Sequence, residues 1–372
     1  MKLAIISHTE HYRQSDGTVV GWGATVSEIN HLVQDFDEII HIAFLHPGVP
    51  PPSSLPYTSS KIKFVSLKPV GGKDFAAKLN IIWQAPKIIA TVQKTLKEVD
   101  VFQLRTPTGI GVFLIPYLTL FNNKMGWYKY AGNWNQQKAP LGYAFQRWML
   151  KKQKRKVTIN GNWPHQPKHC LTFENPCLTG EERQEGIKII ENKIYSAKFT
   201  FCFAGRLDND KGVQRIIDAF ANLKSLEKVE TIHFIGNGEN MERYIEECNS
   251  LKLPVVFHGF MERKKVFQIY KQSNFILLPS TASEGFPKVI AEAMNYGCLP
   301  LVSNVSSITQ YVGLENGFIL EPCTAGELTH KLEKALNEEA SKLKTMAFQA
   351  HRDVVDFTFE NYRHKIQTII LK

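Results

Sequence analysis

The stretch "NFILLPSTASEGFPKVIAEAMNYGCLPLVS", residues 274–303, holds two apolar runs on either side of a helical segment. "NFILLPS" is apolar without alternation, which is the pattern of a parallel strand buried on both faces. "FPK" then places Pro287 at a first helical position, where its missing N–H costs nothing. Glu284 stands in the loop before that helix, and Glu292 lies four residues after Lys288 on the same helix face. "CLPLVS" closes the stretch as a second strand. Strand, helix and strand in this order predict a parallel sheet with helices on its faces.

The pattern repeats outward. Downstream of residue 198 come "FTFCFAG", a helix with Val213, Ile216, Ile217 and Phe220 on one face, "TIHFIG", a helix through Tyr244 and Ile245, "PVVFHG", a helix at 262–271, and "GFILEP". The first half opens with "LAIIS" (3–7), then a loop carrying Gly17, Gly21 and Gly23, then a helix over Val26, Ile29, Leu32 and Val33. "EIIHIAFLH" (38–46), the Pro-rich loop "HPGVPPPSSLP", "IKFVSL" (62–67) and "DVFQLR" (100–105) continue the series. A helix over 75–98 has Ile81, Ile82, Ala85, Ile88, Ile89, Val92 and Leu96 on one stripe. Two doubly wound α/β domains facing across a cleft are expected, with ligands beyond the carboxyl ends of the strands. The polar segment 174–198 marks the boundary. The expected parts are 1–173, 174–355, and a C-terminal helix, 356–372, packing back on the first domain.

Composition is that of a globular chain: 372 residues, 43% hydrophobic and 22% charged. No secretory signal is visible, and Pro116 breaks the longest apolar run (109–121) short of a membrane span. A cytoplasmic location is expected. The six cysteines lack metal-site spacing. The net charge of +10 is unevenly spread, because residues 101–173 contain no Asp or Glu. That region faces an anionic partner: nucleic acid, a membrane surface, or a phosphate-bearing substrate.

Four strand-to-helix loops carry the chemistry. "AGRLDNDKG" sets Arg206 and Lys211 around a turn, either as a clamp for a diphosphate or as partners of Asp208 and Asp210. "IGNGEN" has Gly236, Asn237 and Gly238, which permit close backbone approach or make a plain turn. "HGFMERKK" puts Gly259 and Phe260 where a planar base fits, or where a helix enters with a buried Phe. In "SEGFPK", Gly285, Phe286, Pro287 and Lys288 surround a helix start suited to an anion, and Lys288 and Glu292 otherwise make a surface pair.

Taken together, these loops resemble the nucleotide-sugar-binding domain of GT-B glycosyltransferases, in particular the retaining family 4 (group 1) enzymes. The resemblance covers about residues 199–320, through "GRLDNDKG", "GNGE", "VVFHGF" and "LPSTASEGFPKVIAEAMNYGCLPLVS". It implies that Arg206 and Lys211 neutralise the diphosphate of a UDP- or GDP-linked donor, which is a substrate and not a cofactor. Glu284 contacts the transferred sugar and Glu292 the ribose. Backbone N–H groups near Phe286 and Lys288 hold hydroxyls and phosphate, Pro287 having none to give. The Gly259–Phe260 loop takes the base, and no metal is implied. In the first half "GWGA", with Gly21 and Gly23, matches the glycine loop of the acceptor domain. The family's mid-domain His has no counterpart between His46 and His165, so either Lys129, Asn133, His8 or His11 fills the role or the role is absent.

The implied function is transfer of a sugar to a glycan or polyprenyl-linked acceptor in cell-surface polysaccharide or glycolipid synthesis. The aromatic and basic stretch "YAFQRWMLKKQKRK", with Trp83 and the lysines of the 75–98 helix, suits the inner face of an anionic membrane. The rival readings are a GT-B nucleotide-sugar epimerase and a basic nucleic-acid-binding protein. The latter lacks any recognised module, so no nucleic-acid partner is expected.

Overall fold

Strands form where the apolar runs lie. The computed structural model describes residues 1–70 and 75–372, apart from the side chains of 75–80 and 82, so Ile82 of the predicted stripe lies outside the described residues. The chain divides into two units, Met1–Asn175 with Asn361–Lys372, and Pro176–Glu360.

In the first unit the strands are β1 (Lys2–Arg13), β2 (Val19–Trp22), β3 (Glu38–His46), β4 (Ser54–Pro56), β5 (Ile62–Leu67), β6 (Val101–Thr106), β7 (Met125–Tyr130), β8 (Val157–Ile159) and β9 (Cys170–Thr172). The order β5-β3-β1-β6-β7-β8-β9 is parallel throughout. β1 runs six residues past the predicted "LAIIS". Its polar end pairs antiparallel with β2, His11 opposite Gly21, and β2 pairs with β4 inside the Pro-rich loop. One face buries Ile88, Val92, Leu114, Ile115, Leu118 and Leu150 from three helices, Phe75–Leu96, Gly111–Leu120 and Leu141–Lys152. The other face buries Ile29 and Leu32 with Tyr362, Ile366 and Ile370 of the C-terminal segment. Arg363 fixes that segment with a two-pronged pair to Asp35, at 2.6 and 2.8 Å.

The second unit has β10 (Phe199–Ala204), β11 (Val229–Ile235), β12 (Val255–Phe257), β13 (Phe275–Leu278), β14 (Leu299–Ser303) and β15 (Phe318–Leu320). Their order, β12-β11-β10-β13-β14-β15, is parallel at every pairing. This is the 3-2-1-4-5-6 order of the Rossmann fold, whose strand order reverses between β10 and β13. β13 is wholly buried, so "FILL" lacks alternation because both of its faces are covered.

Candidate functional site

At the reversal between β10 and β13, the loop after each strand leaves the sheet beside the other. Backbone packing welds them. Gly212 caps the helix Val213–Ala221 with φ of 93°, and a Cβ there would lie 2.2 Å from the Pro279 carbonyl. Arg215 donates to the Pro279 and Asn209 carbonyls at 2.9 and 3.0 Å, and the Thr281 N–H donates to the Asp210 carbonyl at 2.8 Å. The residues of "DNDKG" and "STASE" therefore share one ledge.

Lys211 and Glu284 meet on that ledge in a salt bridge, with side chains 18% and 33% exposed. Asp208 sets the geometry: its carboxylate accepts from the Lys211 N–H at 2.8 Å and pairs with the Arg206 guanidinium. The Arg206 side chain is 67% exposed, so it can swing from Asp208 to an incoming anion. Each cation thus holds an internal anion that a diphosphate would replace.

Glu292 lies on the helix Lys288–Asn295, with its side chain 14% exposed. Burial raises its carboxyl above the ordinary value of 4.5, and Arg263 and Lys288 oppose that rise. Arg263 is a neighbour that sequence reasoning missed. Its Nε lies 3.9 Å from Glu292, while its other nitrogens grip both oxygens of Glu182 and the Cys177 carbonyl. Its guanidinium also sits 4.0 Å over the Phe267 ring. Glu182 lies 81 positions away, so no local pattern announces the contact.

Around the helix start, the structure places each residue of "FPK". Pro287 is the cap, with φ −69° and ψ 118°, and the helix begins at Lys288. Lys288 donates to the Pro176 carbonyl at 2.8 Å, in place of the surface pair with Glu292 that stood as the alternative to anion binding. Phe286 is 4% exposed, its ring 4.9 Å from Tyr311 and 4.8 Å from Phe357. Only its backbone can serve a ligand. Gly285 is buried beside it.

The glycines of "IGNGEN" answer to the fold. Gly236 has φ of 129°, and a Cβ would sit 1.9 Å from the Gly205 carbonyl; at Gly238 it would sit 2.1 Å from the Leu207 carbonyl. Asn237 accepts from the Leu207 N–H at 2.9 Å, so this loop braces the one that carries Arg206. Gly236 also donates to the Gly259 carbonyl at 2.8 Å. Gly259 has φ of 65° with nothing within 4 Å of a built Cβ, and Phe260 beyond it is 49% exposed. That loop presents open backbone and an aromatic face.

In the first unit the glycines of "GWGA" are not in a loop after strand one. Gly21 lies in β2 against the His11 ring, 2.3 Å from a built Cβ, and Gly23 opens the helix Gly23–Leu32 at 2.4 Å from the Ser53 carbonyl. His11 is fully buried, and desolvation lowers its pKa to about 4. Its Nδ1 donates to the Thr9 carbonyl at 3.1 Å, which leaves Nε2 to accept from Tyr57, at 2.8 Å. His41 then donates to Tyr57 at 2.6 Å and accepts from Ser7 at 2.7 Å. This closed chain occupies His11 internally. His8 packs edge-on against Phe44, and burial lowers its pKa as well. Lys129 is buried and bonds Glu28 at 2.7 Å, while the other Glu28 oxygen accepts from Arg105 at 2.7 Å. Neither His11 nor Lys129 is presented to a substrate. The backbone carbonyl of Asn133 accepts from Arg147 at 3.3 Å.

Residues 185–353 match the family "Glycosyl transferases group 1". The chain is 23% identical over 165 residues to the lipopolysaccharide 1,2-N-acetylglucosaminetransferase of Salmonella typhimurium, covering 40% of this chain and 43% of the relative. It is 29% identical over 154 residues to the capsular polysaccharide biosynthesis glycosyltransferase CapM of Staphylococcus aureus, covering 40% of each. These matches span about two fifths of the relatives' length. Among solved structures, HepE of Anabaena in complex with UDP and glucose superposes with a TM-score of 0.69 at 16% identity, over 99% of this chain and 98% of that one. The lipopolysaccharide outer core galactosyltransferase WaaB superposes at 0.65 with 17% identity, over 99% of both chains. By sequence over residues 185–353 and by fold over nearly its whole length, this protein resembles the group 1 glycosyltransferases of the GT-B fold.

Proposed function

We propose that this protein is a retaining glycosyltransferase that moves a sugar from a UDP- or GDP-linked donor to a glycan or lipid-linked acceptor in cell-surface polysaccharide or glycolipid synthesis. The observation that carries this reading is the Lys211–Glu284 pair beside Arg206 at the strand-order reversal. Donor diphosphate draws Arg206 and Lys211 away from Asp208 and Glu284 and takes both positive charges. Glu284, released, faces the sugar where positive charge develops at the anomeric carbon. Glu292 accepts from the ribose hydroxyls, and the Gly259–Phe260 loop receives the base. The bond from the anomeric carbon to the diphosphate oxygen breaks, and a bond from that carbon to the acceptor oxygen forms. The acceptor proton passes to the departing diphosphate. The two cations do the work a metal ion does elsewhere, so turnover persists in EDTA.

The named relatives support the setting, one acting in lipopolysaccharide synthesis and one in capsule synthesis. Free nucleoside diphosphate, measured with and without acceptor glycan, tests the reaction. Release that requires acceptor supports transfer; equal release without it refutes transfer.

A further inference from the structure

The three helices on one face of the first unit, Phe75–Leu96, Gly111–Leu120 and Leu141–Lys152, contain no acidic residue. A soluble helix hides its apolar stripe and shows charge of both signs. Here the stripe is hidden, with Ile88, Val92, Leu114, Leu118 and Leu150 all buried, yet large apolar groups also point outward. Trp83 is 80% exposed, Leu141 90% and Trp148 56%. Phe145 stacks on Trp148 at 6.1 Å between ring centroids, so the two form one aromatic plate at the surface.

These groups lie on adjoining helices. A Cβ on Gly109 would touch Ile81 of the first helix at 2.9 Å, and one on Gly142 would touch Val112 at 3.5 Å. The second and third helices begin after the carboxyl ends of β6 and β7, the edge where such sheets take ligands.

The basic run around Trp148 sorts into two kinds. Arg147, Arg155 and Lys156 are spent on backbone carbonyls of Gln136, Leu118 and Ile370, at 2.7, 2.8 and 3.2 Å. Lys151, Lys152 and Lys154 are exposed, as are Lys87 and Lys94 on the first helix. The exposed cations therefore flank the exposed aromatics. Among the described residues no helix is long and apolar enough to cross a membrane.

We propose that this face docks in the headgroup layer of an anionic phospholipid bilayer, with Leu141, Phe145, Trp148 and Trp83 inserted and the lysines on phosphate. Tryptophan suits that layer because its body is apolar and its N–H is polar. Lysines alone would make a site for any polyanion; the inserted apolar groups select a bilayer over nucleic acid.

The test sediments the full-length protein with vesicles of phosphatidylcholine, with and without phosphatidylglycerol, and follows tryptophan emission. It uses neither donor nor acceptor, so its result is independent of the transferase reading. Binding is expected only with phosphatidylglycerol, with a blue shift in emission. It should weaken with salt and by at least about fivefold, one lysine's worth near the surface, for each of Lys151→Glu and Lys152→Glu. Trp148→Ser with Leu141→Ser should lower it at least about tenfold. Leu314→Ser, 84% exposed in the other unit, should leave it unchanged. No sedimentation with phosphatidylglycerol, or equal loss in Leu314→Ser, overturns the proposal. So does a dimer in light scattering that Leu141→Ser dissociates, since the face would then bind a second copy of the chain.

Discussion

Replacing Glu292 by glutamine keeps shape and removes charge. The site argues for a specific outcome. The carboxylate is nearly enclosed, and hydrogen bonds from ribose hydroxyls to a charged acceptor contribute about 1.5–3 kcal/mol each. Glutamine keeps one neutral acceptor oxygen, so the net loss is about 1.5–3 kcal/mol, or roughly 10–150-fold in Kd. The fold should survive, because Arg263 remains anchored to Glu182 and the Cys177 carbonyl. Calorimetric titration with UDP and GDP reads the change. The pH dependence supplies a second readout. Burial raises the Glu292 carboxyl above 4.5, so the ligand-accepting, ionised form is lost as pH falls through that raised value. Wild-type affinity should decline there, and the Glu292→Gln profile should be flat. Stability runs the other way. A carboxyl with a raised folded pKa favours the fold at low pH and loses that contribution as pH rises through the folded value. Unliganded Glu292→Gln should therefore be at least as stable as wild type at neutral pH. A Kd within twofold of wild type with an unchanged profile would refute the ribose role.

Three further outcomes follow from the geometry. Glu284→Ala should lower turnover far more than donor affinity, since Lys211 and Arg206 remain for the diphosphate; unchanged kcat would contradict its placement at the sugar. Gly236→Ala forces a Cβ to 1.9 Å from the Gly205 carbonyl at φ of 129°, and should destabilise by about 2–3 kcal/mol, seen as a lower melting temperature of about 5 °C or more. Glu28→Gln leaves Lys129 and Arg105 short of their shared anion, and should cost about 3–5 kcal/mol in urea unfolding; a loss below about 1 kcal/mol would show that the cluster is well hydrated.

The legible parts of the chain were those whose determinants are local. β3 coincides with "EIIHIAFLH" because a strand covered on both faces is written as a nearly unbroken apolar run, while β5 coincides with "IKFVSL" and leaves Lys63 and Ser66 exposed. The strand pattern located the two βα loops of Lys211 and Glu284 at one sheet edge, but not their pairing, since Lys211 was expected on a diphosphate or on Asp208 and Asp210. What escaped depends on distant residues. The polar tail of β1 is a strand because β2 returns to pair with it, and "HTEHYR" carries no trace of that partner. Phe286 sits in a loop beside the site, yet Tyr311 and Phe357 enclose it. Lys288 finds the Pro176 carbonyl, and Arg263 finds Glu182, across chain separations of 112 and 81. Gly236 and Gly238 were legible as glycines with a purpose, but the close approach they permit is to the neighbouring loop's backbone.

The central claim is that Arg206 and Lys211 hold a nucleotide diphosphate at the strand-order reversal of the second unit. A thermal-shift screen across UDP- and GDP-linked sugars tests it most directly, because a ligand at 100 times its Kd stabilises by about 2.7 kcal/mol. At least one of these should raise the melting temperature of the wild-type protein, and Arg206→Ala with Lys211→Ala should abolish the shift. A screen in which no nucleotide sugar shifts the protein, or in which the double variant shifts as much as wild type, would contradict the account.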